Sequence, residues 1–275
     1  MPLNSVNTNM GAMVALQNLS VTNSELSTVQ SRINTGKKVN SAKDNGAVWA
    51  IAQGQRAEMG ALNAVKDSLN RGQSAVDVGI AAGETVSDLL TQMKEKALAA
   101  TDQSLTTAAR NALNEDFVAL RKQIASTVSN AKFNGVAVIS GTAGFKALAD
   151  SAGSSTINIA AENMSLSGSI VTLTSTASIG TITNAAANLT KVNASIDNVS
   201  ASLARLGTGS KALGTHLDFV GKLQDTIESG VGNLVDADLA KESARLQALQ
   251  TKQQLGVQAL SIANSSTSML LGLFR

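Results

Sequence analysis

LNAVKDSLNRGQSAVDVGIAAGETVSDLLTQMKEKALAA, residues 62–100, decides the fold. Leu62, Leu69, Val76, Gly83, Leu90 and Ala97 recur every seven residues, and Val65, Gly72, Gly79, Val86, Met93 and Ala100 run parallel three residues on. Every member of both series is apolar or glycine. A seam of this kind, held for more than five heptads, predicts a long helix packed against a partner. A helix from about 55 to 100 would be roughly 70 Å long, a rod. Gly72, Gly79 and Gly83 should let a neighbour approach closely, at some cost in helix propensity.

Beyond a polar break at 101–104, Leu113, Phe117, Leu120, Ile124 and Val128 repeat at three-to-four spacing and predict a shorter helix. It ends near Phe133-Asn134-Gly135, where Asn-Gly supplies the positive φ of a turn. Leu189, Val192, Ile196, Val199, Leu203, Leu206, Leu213, Leu217, Val220 and Ile227 form a second long stripe, broken by Ser210 and Gln224. A helix over about 185–228 therefore matches the first rod in length. The fold class read from these patterns is mainly α: long antiparallel helical rods, a coiled-coil bundle, with a small β-rich insert.

The insert lies between the two halves. From Ser151 to Thr183, fourteen of thirty-three residues are Ser or Thr, and the only charge is Glu162. Thr156-Ile157-Asn158-Ile159 and Val171-Thr172-Leu173-Thr174 alternate as short strands do. A compact β-rich insert at the tip of the rod is expected; linker or disorder is the alternative.

Both ends are rich in apolar residues and poor in charge. Leu3, Val6, Met10, Met13, Leu16, Leu19, Leu26, Val29 and Ile33 sit among Asn, Ser, Thr and Gln, and the first charged side chain is Glu25. At the other end Leu239, Leu246, Leu249 and Leu260 form one row and Ala248, Leu255, Ala259 and Ile262 another, before Leu270, Leu271, Leu273 and Phe274. A helix apolar on several sides needs several partners. We therefore expect both ends to be loosely ordered in a lone subunit and to fold against neighbouring copies. The alternative is that the two ends pack on each other as one hairpin.

Composition removes most other functions. With no cysteine and one histidine among 275 residues, thiolate and multi-histidine metal centres are excluded. A net charge of +2 gives no basic field for nucleic acid. No apolar run is long enough to span a membrane, and the first residues lack the basic and apolar regions of a signal peptide. Gly207-Thr208-Gly209-Ser210-Lys211 lacks the second glycine and the preceding strand of a phosphate loop. His216 reads as a boundary residue, Trp49 as a packing residue, and Asp236 with Asp238 as a solvated helix start. No catalytic residue, metal ligand or cofactor is expected.

Several motifs resemble those of bacterial flagellin. They are Asn7-Thr-Asn9, Ala15-Leu16-Gln17-Asn18-Leu19, Arg32-Ile33-Asn34-Thr35-Gly36, Val39-Asn40-Ser41-Ala42-Lys43-Asp44 and Ala50-Ile51-Ala52, then Phe133-Asn134-Gly135-Val136. Leu206-Gly207 and the run from Ala263-Asn264 to Leu270-Leu271 resemble the family's other end. The resemblance covers roughly 1–140 and 185–275. Asn45-Gly46, Trp49 and Pro2 depart from it.

The resemblance implies a filament subunit of three parts. Residues 1–36 with 229–275 would form a terminal inner coiled coil, 37–140 with 186–228 a helical rod domain ending in a β-turn, and 141–185 a small outer insert. Leu3, Val6, Met10, Leu16, Leu19, Leu26, Val29 and Ile33, with Leu246, Leu249, Leu255, Leu260, Leu270, Leu271, Leu273 and Phe274, would carry self-assembly. It further implies export unfolded through the flagellar type III apparatus and an extracellular filament serving motility. The implied partners are other subunits, a flagellar export chaperone at 246–274, and filament cap and hook-junction proteins. A monomeric or closed-oligomer coiled-coil adhesin is the alternative reading of the same heptads.

Overall fold

The computed structural model describes residues 8–272, with side chains described as far as Ser265. Five helices and one hairpin follow in order: α1 Met10–Thr35, α2 Gly46–Ala100, α3 Thr107–Asn130, β1 Phe145–Leu148, β2 Thr156–Ile159, α4 Ile182–Val235 and α5 Leu239–Gly272. The chain divides into two compact units. One holds the chain up to Ala57 together with Thr226 onward, and the other is Glu58–Asp225.

In the second unit the heptad reading of residues 62–100 holds at every position: all twelve members of the two series are buried. α2 starts at Gly46, nine residues before the expected start, because Asn45 caps it by accepting from the Val48 amide at 3.1 Å. α3 turns back along α2, and Phe117, Ile124 and Val128 are buried between them. Arg110 fixes this turn. It is itself buried and donates to the carbonyls of Ala100 at 3.0 Å and Asp102 at 2.7 Å, which α2's end leaves without helical partners. The Asn-Gly turn is present, with Asn134 and Gly135 at φ 48° and 81° between Phe133 and Val136.

α4 lies antiparallel to α2. Gln73 hydrogen-bonds Ser210, Gln224 donates to the Met59 carbonyl at 3.1 Å, and a methyl built on Gly83 would lie 2.7 Å from Leu203 Cδ2. Only part of the seam of α4 is apolar. Val192, Val199, Leu206, Leu213 and Val220 are buried at seven-residue spacing, while Leu189, Ile196, Leu203 and Leu217 are half-buried. The second row is Asn188, Ser195, Ser202, Gly209 and His216, again at sevens, and it receives the insert.

The insert differs from the expected tip. β1 and β2 pair antiparallel from Phe145 opposite Ile159 to Leu148 opposite Thr156, but 171–174 is not a strand. From Ala149 to Ser178 the segment is a strap laid along α4. Ala149 O contacts His216 Nε2 at 2.7 Å, and Ile159 seats over Gly209, where a methyl would lie 2.8 Å from its Cδ1. Ser195 Oγ accepts the Thr172 amide at 3.0 Å, and Asn188 donates to Ser178 O at 2.8 Å. Two of the seam glycines of α2 make room for the chain leading into this strap. A methyl at Gly72 would lie 2.5 Å from Phe145 Cε1, and one at Gly79 would lie 3.1 Å from Val138 Cγ2. Outside Thr156–Ile159 the strap has no sheet partner and must find other acceptors and donors for its backbone, and the polar row supplies some of them. Val171-Thr172-Leu173-Thr174 alternates because Val171 and Leu173 are buried against the helices.

Glu162, the one charge of residues 151–183, is buried and receives Arg205 in a fork, Nε to Oε1 at 2.7 Å and Nη2 to Oε2 at 2.6 Å. These bonds hold its carboxyl below the ordinary 4.5, against the opposing effect of burial. Replacing Glu162 by Gln should lower the stability of this unit by about 1–3 kcal/mol at neutral pH, read by urea denaturation. On acidification the unfolded chain takes up this proton first. The difference between wild type and Glu162→Gln should therefore be full above the ordinary carboxylate range and shrink as the pH falls below 4.5.

Candidate assembly surface on the terminal helices

α1 and α5 form an antiparallel pair, the hairpin that was the alternative arrangement of the two ends. Asn9 caps α1 by accepting the Ala12 amide at 2.9 Å, and its Nδ2 reaches across to Ala263 O at 2.8 Å. Gln253 donates to Asn23 Oδ1 at 2.7 Å, and Arg32 meets Glu242 at 3.1 Å. Arg32 stands in the last turn of α1 and Glu242 in the first turn of α5, so each also complements a helix dipole. At the closed end α1 stops on Gly36 at φ 70°. Ala237 N then donates to Gly36 O at 2.9 Å, and Lys38 N to Val235 O at 2.8 Å.

Asp238 caps α5, its Oδ1 accepting from Ala240 and Lys241, which is the helix start expected of the Asp236–Asp238 pair. Val39, Ala52, Val231 and Val235 make a small core beside it, with Trp49 packed against them. Asp44 closes the intervening turn, Oδ2 accepting the amides of Ser41 and Asn40 at 2.9 Å each; these bonds hold its carboxyl below the ordinary range.

The seam between the two helices has a clear register. On α1 it runs through Leu19, Thr22, Leu26, Val29 and Ile33, and on α5 through Glu242, Leu246, Leu249, Gln253, Gly256 and Leu260, all buried or half-buried at three-to-four spacing. Leu19 Cδ1 would lie 3.3 Å from a methyl on Gly256. The two apolar rows of the C-terminal segment thus separate. Of the first row, Leu246, Leu249 and Leu260 face α1 while Leu239 is 49% exposed; in the other row Leu255 is 59% and Ile262 70% exposed. On α1 the leftover face is Met10, Met13, Val14, Leu16 and Val21, each more than half exposed.

The residues expected to carry assembly therefore fall into three groups. Val29 and Leu249 are buried inside the hairpin, with Leu19, Leu26, Ile33, Leu246 and Leu260 half-buried around them, so these hold the pair together. Met10, Leu16 and Leu255 are exposed. Leu3, Val6, Leu273 and Phe274 lie outside the described residues, and Leu270 and Leu271 lie on the last turn of α5, where only the backbone is described. Val14 and Val21 join the exposed face of α1, and Val257 is exposed on α5, without having been expected there. The spacing of Met10, Val14 and Val21 by four and seven is the signal that places them on one side of α1.

Gly207 to Lys211 lies in the middle of α4, a continuous helix and not a phosphate-cradling loop. Among the described residues, no helix is long and apolar enough to cross a membrane, and no three acidic or histidine side chains gather where a metal could sit.

A helical chain whose ends pair with each other and still present an uncovered apolar face has the form of a structural subunit. Comparison with known proteins gives the family. Residues 6–144 match the bacterial flagellin N-terminal helical region and residues 189–274 the bacterial flagellin C-terminal helical region. The chain is 58% identical to flagellin FljM and 60% identical to flagellin FljK, both of Caulobacter vibrioides, over the full length of each pair. A solved flagellin from Bacillus cereus aligns over 56% of this chain and 88% of its own, at 22% identity and a TM-score of 0.49. The chain belongs to the bacterial flagellins, a structural and non-enzymatic family whose members form the flagellar filament.

The division of the apolar residues can be tested in the free subunit. Leu249→Ala should loosen the hairpin by about 2 kcal/mol or more and expose α1 and α5 to limited proteolysis. Met13→Ser combined with Ile262→Ser should leave the cleavage pattern and the melt within about 0.5 kcal/mol of wild type.

Proposed function

We propose that this chain polymerises into the filament through its terminal hairpin, and that the exposed faces of α1 and α5 are covered by neighbouring copies. The observation that carries this reading is the second apolar row, with Leu255 and Ile262 open to solvent although the hairpin seam is already complete. Burying such a row is worth about 25 cal/mol per Å² of apolar surface, enough to drive association once many copies share it. A self-contained adhesin or binding module leaves that row without a role. Flagellin membership supports the rest: export as an unfolded chain by the type III route, addition outside the cell, an export chaperone holding 246–274, and cap and hook-junction proteins at the filament ends. Absence of cysteine suits a chain that must thread a narrow channel without cross-links.

Truncation tests the role of the ends. Cutting at 229, the boundary suggested by sequence, would remove Val231 and Val235 from their core, so the cuts belong after Gly36 and before Asp238. The shortened chain should remain a soluble helical monomer that forms no filaments by electron microscopy at concentrations where the full chain does. Normal filaments from the shortened chain would refute the assignment.

A further inference from the structure

Two of the residues on the uncovered face of α1 are methionines, Met10 at 61% and Met13 at 59% exposure. They stand one helical turn apart on one side of the helix, beside Val14 and Leu16 and among the uncharged Gln17 and Ser20. The other methionines whose side chains are described are sheltered. Met59 is half-buried, and Met93 and Met164 are fully buried in the second unit.

A thioether is soft and apolar, suited to packing against a partner surface. In a chain without cysteine it is also the side chain that a mild two-electron oxidant attacks. With a hydroperoxide, the sulfur lone pair attacks a peroxide oxygen, and an S–O bond forms as the O–O bond breaks. The sulfur is oxidised by two electrons to the sulfoxide, the peroxide is reduced, and its second oxygen takes up the proton and leaves as water. A polar S–O group then stands where an apolar side chain was.

The two states of the protein feel this change differently. In the lone subunit Met10 and Met13 lie outside the seam between α1 and α5, so the new oxygens stay in water and the hairpin keeps its packing. When a neighbouring copy covers the face, each sulfoxide must shed its water against apolar surface, and that desolvation opposes the contact.

We propose that Met10 and Met13 are oxidation-sensitive positions through which a peroxide withdraws the free subunit from assembly, and that incorporation into the filament shields them. The modification is reversible by a methionine sulfoxide reductase. The inference rests on the filament reading above and adds to it a chemical control over which copies can join.

The test treats free full-length subunits with hydrogen peroxide, removes the peroxide with catalase and then assembles them, with peptide mass spectrometry reading each methionine. Met10 and Met13 should oxidise about tenfold or more faster than Met93 and Met164. The critical subunit concentration should rise about tenfold or more without a shift in the melt of the free subunit, and reductase treatment should reverse the rise. Met1 and Met269 are also present in the chain, so Met10→Leu with Met13→Leu is compared with itself, treated against untreated. That ratio of critical concentrations should stay near one, and a ratio as large as that of wild type would overturn the proposal. Preformed wild-type filaments give a second readout that needs no variant: their Met10 and Met13 should oxidise about tenfold or more slowly than in free subunits.

Sulfoxide at both positions with an unchanged critical concentration, in filaments that do shield them, would overturn the proposal and leave the filament reading intact. Filaments in which both methionines oxidise as fast as in the free subunit would overturn the proposal together with the covering of this face. Untreated wild-type subunits that form no filament would overturn the underlying reading itself.

Discussion

The packing of α1 against α5 governs what the molecule can do, because an antiparallel helix pair has one seam and these two helices carry apolar residues enough for more. The seam takes Leu19, Leu26, Val29 and Ile33 from one side and Leu246, Leu249 and Leu260 from the other. It is closed by caps at Asn9 and Asp238, by the Arg32–Glu242 pair and by the backbone bonds around Gly36. What remains is a face of Met10, Met13, Val14 and Leu16 and a row containing Leu255 and Ile262, all in water. Exposed contiguous apolar surface of this kind marks a place where another chain binds. The hairpin sets the register of that face, and in the proposed assembly neighbouring copies cover it.

The second unit meets a different demand, a long helix pair that must also hold a strap with almost no sheet. Its solution is the divided seam of α4. Val192, Val199, Leu206, Leu213 and Val220 bury against the helices, while Asn188, Ser195 and His216 reach the backbone of the strap and Gly209 gives space to Ile159. Ser195 and Ser202 keep their hydroxyls bonded to the carbonyls of Lys191 and Asn198 on the preceding turn, so their burial leaves no donor unpaired. The Glu162–Arg205 fork then ties the strap to α4 by charge.

Much of this is legible in the sequence, and the reason is periodicity. The two series through residues 62–100 predict burial correctly at each position because a coiled seam repeats every seven residues whatever fills it. The α4 seam is half legible: the apolar row stands out, but Asn188, Ser195 and Ser202 share its spacing and are polar, so hydrophobicity alone passes over them. The strap reads as strands because Val171 and Leu173 alternate with threonines, a pattern that any extended segment lying on a buried surface will show. At the ends the two rows of the C-terminal segment are visible, but not which of them faces α1. That depends on the long-range register fixed by Asn9, Arg32 and Gln253.

The central claim is that the terminal hairpin is an incomplete surface finished by other copies. Amide hydrogen exchange, followed in free subunits and in assembled filaments, measures this directly. Amides of 10–35 and 239–265 should be protected less than those of 62–97 in the free subunit and gain about a hundredfold or more in protection on assembly, while those of 62–97 change little. Full protection of both terminal helices in the free subunit, unchanged in the filament, would contradict the claim.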